Sequence, residues 1–131
     1  MKRILRTGVG IVIGYAVMVV LITLVQETWF GGVSFGKSSN GVLVAAGLLT
    51  SVAAALGAVT ATAIARPFGR IAAVVMACVV VMETTVLVTT GRVSCPLWFD
   101  LMAAGSLIVS ILVGAEVFLR LRPWRRASQA A

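Results

Sequence analysis

The sequence has four acidic residues, and one of them, Glu83, lies inside a long apolar run, where a carboxyl group can exchange a proton or pair with a cation. Glu83 lies seven residues before Thr90, the last residue of that run. In a helix that rises 1.5 Å per residue, this spacing puts the carboxyl about 10 Å from the end of the run. A charged side chain at such a depth in lipid costs about 2.5–3.5 kcal/mol on insertion scales, so we expect Glu83 to have a structural or functional role.

Several hydroxyl side chains are predicted at a similar depth in other apolar runs, about 8 to 15 Å from the same side. The resulting prediction is a polar layer of Glu83, Ser106, Ser110, Thr50 and Ser51. No basic residue lies at that depth. Three interpretations stay open: a neutral, hydrogen-bonded Glu83 that joins helices, a proton- or cation-coupling site, and a contact with a basic group on a partner subunit.

Other kinds of chemistry have little support in the residue types. Histidine, the commonest general base and metal ligand, does not occur. Cys78 and Cys95 are separated by roughly 25 Å of mostly helical chain, too far for a disulfide, and no CxxC pair exists. We therefore expect no metal, no cofactor and no enzyme activity, since neither a nucleophile with its base nor a metal cluster is visible.

Four further polar residues have structural interpretations. Glu116 lies four residues before Arg120, the spacing of an ion pair on one helix. Asp100 lies near the start of the fourth apolar run, where a helix dipole stabilises negative charge. Tyr15 is expected to pack with its hydroxyl bonded to a neighbour.

The elements that must position these residues follow from the composition. Of the 131 residues, 60% are hydrophobic and 11% are charged, whereas soluble domains have about 25% charged residues. Four apolar runs, at about 5–25, 41–65, 69–90 and 97–121, each meet the roughly 20 residues needed to cross a bilayer as a helix. The prediction is an all-α membrane protein, an antiparallel four-helix transmembrane bundle over residues 1–122 with a basic tail at 123–131.

The orientation is predicted from the basic residues between and outside the runs. Nine of the eleven lie on the side that holds both chain ends, and only Lys37 and Arg92 lie on the other. The positive-inside rule puts the nine in the cytoplasm, so both termini are expected there. The net charge of +7 therefore indicates contact with anionic lipid headgroups, and no nucleic-acid partner is expected. The first run lacks a small-x-small cleavage site and is expected to be a retained span.

Small residues spaced along the runs predict where helices approach each other, because lipid supplies no hydrophobic drive between helices. The predicted packing positions are Gly10, Gly14, Ala53, Gly57, Ala61 and Gly114. Packing within one bundle and homodimerisation through a spare stripe are both compatible with this pattern. The loop at 26–40, rich in glycine and serine, is interpreted as exposed connecting backbone, with a ligand-binding loop as the alternative.

Short motifs carry a family resemblance over the whole chain. They are the basic start Lys2-Arg3-Ile4-Leu5-Arg6, then Gly14-Tyr15-Ala16-Val17-Met18, and Val113-Gly114-Ala115-Glu116 running into Leu119-Arg120-Leu121-Arg122. With them the chain resembles small bacterial four-span integral membrane proteins, which implies a fold and a location in the bacterial inner membrane but no activity. The chain is also similar in span number to the small multidrug resistance transporters. Their functional glutamate lies in the first span, whereas Glu83 lies in the third.

Two functions follow as expectations. The first is a structural or accessory membrane subunit, with the lipid bilayer and a partner subunit or second copy as its contacts. The alternative is a small dimeric proton- or cation-coupled transporter or channel that uses Glu83.

Overall fold

The computed structural model describes residues 2–32, 37–91 and 96–129, with side chains over 4–32, 37–91 and 96–121. These residues form helices and no strands. Four helices are long and apolar enough to cross a membrane. They are α1 (Lys2–Thr23), α2 (Asn40–Ile64), α3 (Gly69–Thr89) and α4 (Leu97–Gln129), and α1 runs on into a π-helical turn, Leu24–Trp29. Arg92, Cys95 and part of the 26–40 loop lie outside the described residues.

The helix ends follow from local hydrogen bonding. Ser39 caps α2, where its Oγ accepts from the backbone N–H of Val42 at 3.4 Å. Between α2 and α3 the chain turns within four residues, and the N–H of Phe68 donates to the carbonyl of Ala65 at 2.8 Å. Such a short connection brings the end of α2 beside the start of α3.

The predicted fourth span, at about 97–121, agrees with the apolar segment Leu97–Leu121 of α4. The helix itself continues past this segment to Gln129, through Pro123, although a proline has no backbone N–H to donate. The loss of one hydrogen bond at a proline can be absorbed, and the following segment contains arginine, alanine and glutamine, which favour helix. The predicted tail at 123–131 is thus helical as far as it is described.

Helix α2 is central, because it contacts α1, α3 and α4. Helix α3 also contacts α1 and α4, whereas no contact between α1 and α4 occurs within the described ranges. The start of α1 lies beside the end of α2, since Arg6 Nε donates to the carbonyl of Ile64 at 2.9 Å. The start of α3 lies beside the second half of α4, where Arg70 Nη2 is 3.1 Å from Glu116 Oε1. We call this the basic end of the structure, defined by Arg6, Arg66, Arg70 and Arg120.

Small side chains fill the interior, and large apolar side chains point outward. The buried cluster consists mostly of alanine, with Met18, Met76, Val80 and Ile111 as its larger members. On the outside, leucine, valine and isoleucine dominate; Leu48 is 65% exposed and Val109 is 60% exposed. A water-soluble fold buries its largest apolar residues, so this distribution is the reverse of a soluble core.

Glycines permit the closest helix approaches. A methyl group placed on Gly14 would lie 2.5 Å from the Cβ of Ala61 and 2.7 Å from the carbonyl oxygen of Gly57. A methyl group on Gly114 would lie 2.8 Å from the carbonyl oxygen of Ala55. Since real Cβ contacts are longer than this, α1 and α4 pack on α2 at distances that only glycine allows. Gly10 lies against Ala61 and Ala65 in the same α1–α2 contact, and Ala53 is buried.

Candidate intramembrane polar site

The side chains of Tyr15 and Glu83 meet between α1 and α3. The Tyr15 hydroxyl donates to Glu83 Oε2 at 2.5 Å, across 68 residues of sequence. Tyr15 is partly buried, whereas Glu83 is exposed on the outside of the helices. Glu83 lies six residues before the end of α3 at Thr89, which is about 9 Å along the helix axis.

The packing of α1 on α2 positions this pair. Gly14 contacts α2, and the next residue, Tyr15, is rotated by about 100° around the helix, toward α3. The hydroxyl and the carboxyl open onto a groove of about 360 Å³ between α1 and α3. Apart from Tyr15 and Glu83, its lining is apolar and consists of Val79, Met82, Val86 and Leu87. The Tyr15 and Glu83 side chains therefore form a polar site on an otherwise apolar surface.

The structure does not bring together the five residues of the predicted polar layer. Ser106 donates to the carbonyl of Ala103 and Ser110 to that of Ser106, each at 2.7 Å. Thr50 Oγ1 is buried without a hydrogen-bond partner, and Ser51 lines a separate groove between α2 and α4 together with Ser110. Among the described residues, no hydrogen bond joins Glu83 to any of these hydroxyls.

The rotation of α3 explains why the layer does not form. Glu83 and Val79 lie on the face toward α1, whereas Thr84, Thr85 and Val88 line the groove that α3 shares with α4. Depth along a helix can be counted from the sequence, but the direction in which a side chain points depends on how the helices are rotated. The partner of Glu83 is consequently Tyr15, for which a hydroxyl bond to an unspecified neighbour was predicted.

The hydroxyls of α3 near Glu83 are satisfied within their own helix. Thr84 and Thr85 donate to the carbonyls of Val80 and Val81 at 2.8 and 2.7 Å. Thr89 and Thr90 make the same kind of bond one turn further on. This bonding pattern uses the hydroxyl donor within the helix and leaves the oxygen available only as an acceptor.

A second polar group lies at the basic end. Glu116 Oε1 accepts from Arg120 Nε and from Arg70 Nη2, both at 3.1 Å. The predicted Glu116–Arg120 pair is confirmed. Arg70 was missed, and the available signal was the tight turn after α2, which fixes Arg70 at the same end of the bundle as Glu116 and Arg120.

Asp100 lies in the first turn of α4, as expected. Its Oδ2 is buried without a hydrogen-bond partner, and its stabilising role stays a prediction. In the part of the chain that the structure describes, no cluster of three or more histidine, cysteine or acidic side chains could hold a metal ion. Cys78, on α3, is a free and exposed thiol.

Comparisons of this chain with protein-family models, with curated proteins and with solved structures find no match. The geometry of the chain therefore has to carry the functional argument.

Proposed function

We propose that this chain is an accessory subunit of a membrane complex, and that Glu83 binds a basic group on a transmembrane helix of its partner. In this proposal the chain crosses a bacterial inner membrane four times as an antiparallel bundle, with both termini in the cytoplasm. The observation that carries the proposal is the exposed carboxyl of Glu83 on an apolar surface at membrane depth.

The reversed distribution of apolar side chains supports the membrane part. Exposed leucine, valine and isoleucine cover the four helices, and alanine and glycine fill the interior. In water such a surface would aggregate, whereas lipid chains solvate it. Close packing through small residues is also the way that helices associate without a hydrophobic drive.

The basic end supports the orientation. Arg6, Arg66, Arg70 and Arg120 lie there, and three further arginines follow Leu121 in the sequence. Lys37 lies before α2, at the opposite end. The positive-inside rule assigns the basic end to the cytoplasm.

Energetics support a partner at Glu83. One hydrogen bond from Tyr15 leaves the remaining acceptor sites of the carboxyl facing lipid. A charged group in this environment is costly and is usually paired or faces the interior of an assembly. A partner that covers the groove and donates to Glu83 would remove this cost.

Charge complementarity indicates the chemistry of the partner. No span of this chain has a lysine or arginine at the depth of Glu83, and a second copy in the same orientation would present another Glu83. A lysine or arginine within a partner span supplies the missing charge. An arginine has the further advantage that its planar donors fit a carboxylate with two bonds.

A designed helix can test this proposal. The probe is a transmembrane peptide of leucine and alanine with one arginine about 9 Å below its outer end; its control has glutamine there. Association with the full-length protein is measured by energy transfer in phosphatidylcholine vesicles. We expect the arginine peptide to bind at least about tenfold more tightly than the control, which corresponds to 1.4 kcal/mol. Glu83→Gln should abolish the difference and Glu83→Asp should retain part of it.

Equal binding of the two peptides by the unmodified protein would contradict the proposal.

A transporter is the second candidate, because the side chains of Tyr15 and Glu83 open onto a groove and are not enclosed between tightly packed helices. Proton flux into the same vesicles distinguishes the two functions. Flux that is present with the unmodified protein and lost in Glu83→Gln, with folding preserved, would favour the transporter.

A further inference from the structure

At the basic end, the turn before α3, the first turn of α3 and Leu119 of α4 border a groove of about 350 Å³. Among the described side chains, its lining combines the guanidinium of Arg70 with the apolar surface of Pro67, Phe68, Ile71 and Leu119. The groove thus offers a cation beside surfaces that suit hydrocarbon. A phospholipid has the same two properties in one molecule, an anionic headgroup and acyl chains.

Positive charge exceeds negative charge around this groove. One carboxylate, Glu116, serves both Arg70 and Arg120 through a single oxygen, so one positive charge of this trio is unneutralised. Arg6 uses its Nε on the carbonyl of Ile64. Arg66 is exposed, and none of the ion pairs among the described side chains includes it.

The arginine that lines the groove has free donors. Arg70 gives one Nη2 bond to Glu116, and its side chain is 74% exposed. A guanidinium has five N–H donors in a planar fork, and that fork matches the oxygens of a phosphate. Ile71 and Leu119 continue from this point along α3 and α4, away from the basic end, where an acyl chain would lie.

We propose that this groove is a binding site for an anionic phospholipid, with the headgroup phosphate on Arg70 and an acyl chain against Ile71 and Leu119, while Arg66 in the turn before α3 adds positive charge. The site is independent of Glu83 and of any partner subunit. Clustered basic residues just inside a membrane attract anionic lipid in general. The groove would hold such a lipid at one defined place on the protein.

The site can be tested with the full-length protein in vesicles of phosphatidylcholine mixed with phosphatidylglycerol. After gentle detergent release, native mass spectrometry measures the ratio of retained phosphatidylglycerol to phosphatidylcholine. Because one basic residue near a membrane surface contributes roughly fivefold in anionic-lipid affinity, Arg70→Gln should lower the ratio about fivefold. Arg66→Gln should lower it without touching the Glu116 pair. Lys37→Gln, which removes the same charge at the opposite end, should leave it unchanged.

Glu116→Gln should change the ratio of retained phosphatidylglycerol to phosphatidylcholine in the opposite direction from Arg70→Gln. It releases both guanidiniums from their shared carboxylate and should raise the retention of phosphatidylglycerol. Equal losses in Arg70→Gln and Lys37→Gln would overturn the site and indicate only a net-charge effect. Displacement of the lipid by inorganic phosphate would overturn the phospholipid assignment, since it would show that free phosphate alone fills the site.

Discussion

At the scale of single residues, Glu83 has one described partner in the chain, the hydroxyl of Tyr15. This bond joins α1 and α3, two helices that share fewer close contacts than α1 and α2. Interhelical hydrogen bonds in membranes contribute little, about 0.6 kcal/mol on average. The bond therefore orients the carboxyl in its groove more than it stabilises the fold.

Removal of the Tyr15 hydroxyl tests that interpretation. We expect the double-mutant cycle of Tyr15→Phe with Glu83→Leu, which removes the acceptor, to give a coupling free energy of about 0.6 kcal/mol. The measurement is reversible unfolding in mixed micelles. A cycle of Tyr15→Phe with Thr85→Val is the control and should give no coupling, because Thr85 bonds within its own helix. A coupling well above about 1.7 kcal/mol, the largest such value in membrane helices, would make the pair a major stabilising contact.

At the scale of the helices, glycines set how closely α1 and α4 approach α2. The two contacts use different faces of α2, with Gly57 and Ala61 toward α1 and Ala55 toward α4. In close-packed contacts of this kind an added methyl group would overlap backbone atoms. A change of side-chain conformation cannot relieve this overlap, so backbone atoms would have to move. Helix spacing in this protein is thus sensitive to single methyl groups.

Glycine-to-alanine changes in α1 test this sensitivity. We expect Gly14→Ala to destabilise the fold by about 1–3 kcal/mol, the usual cost of overpacking, because its Cβ would overlap Gly57 and Ala61. Gly8→Ala is the matched control in the same helix, since no atom lies within 4 Å of its added Cβ. It should be neutral or stabilising by up to about 1 kcal/mol, from the higher helix propensity of alanine. Equal effects of the two changes in a thermal unfolding assay would contradict the described α1–α2 contact.

The same comparison applies to α4. Gly114→Ala brings a methyl group to 2.8 Å from the Ala55 carbonyl oxygen, whereas Gly105→Ala meets open space. We expect only Gly114→Ala to lower the unfolding temperature. Loss of stability in Gly105→Ala alone would mean that α4 is rotated relative to the described packing.

At the scale of the whole molecule, the sequence predicts some features well and others poorly. The three helices α1, α2 and α3 begin and end within a few residues of the predicted spans, because run length and charge define them. The continuation of α4 past Pro123 was not predicted, because the apolar run ends at Leu121 and the segment after it is basic and polar. Predicted packing positions such as Gly14 and Gly114 lie at close helix contacts.

The arrangement of the polar site could be predicted from the sequence only in part. Counting residues gave the depth of Glu83, Ser106 and Ser110 but not the rotation of their helices. The rotation of each helix about its axis depends on how all the helices pack together. The sequence of one helix alone does not specify it. The Glu116–Arg120 pair was predictable because both partners lie on one helix, whereas Arg70 and Tyr15 reach their partners across helices.

Thiol labelling in intact cells tests the central claim, that the four helices cross a bilayer and leave both termini in the cytoplasm. In a Cys78→Ser background, Cys95 should react with a membrane-impermeant maleimide added outside. A thiol introduced by Ser128→Cys, with Cys95→Ser, should react only after the cells are opened. Reaction of both thiols from outside, or a protein that stays soluble without detergent, would contradict the account.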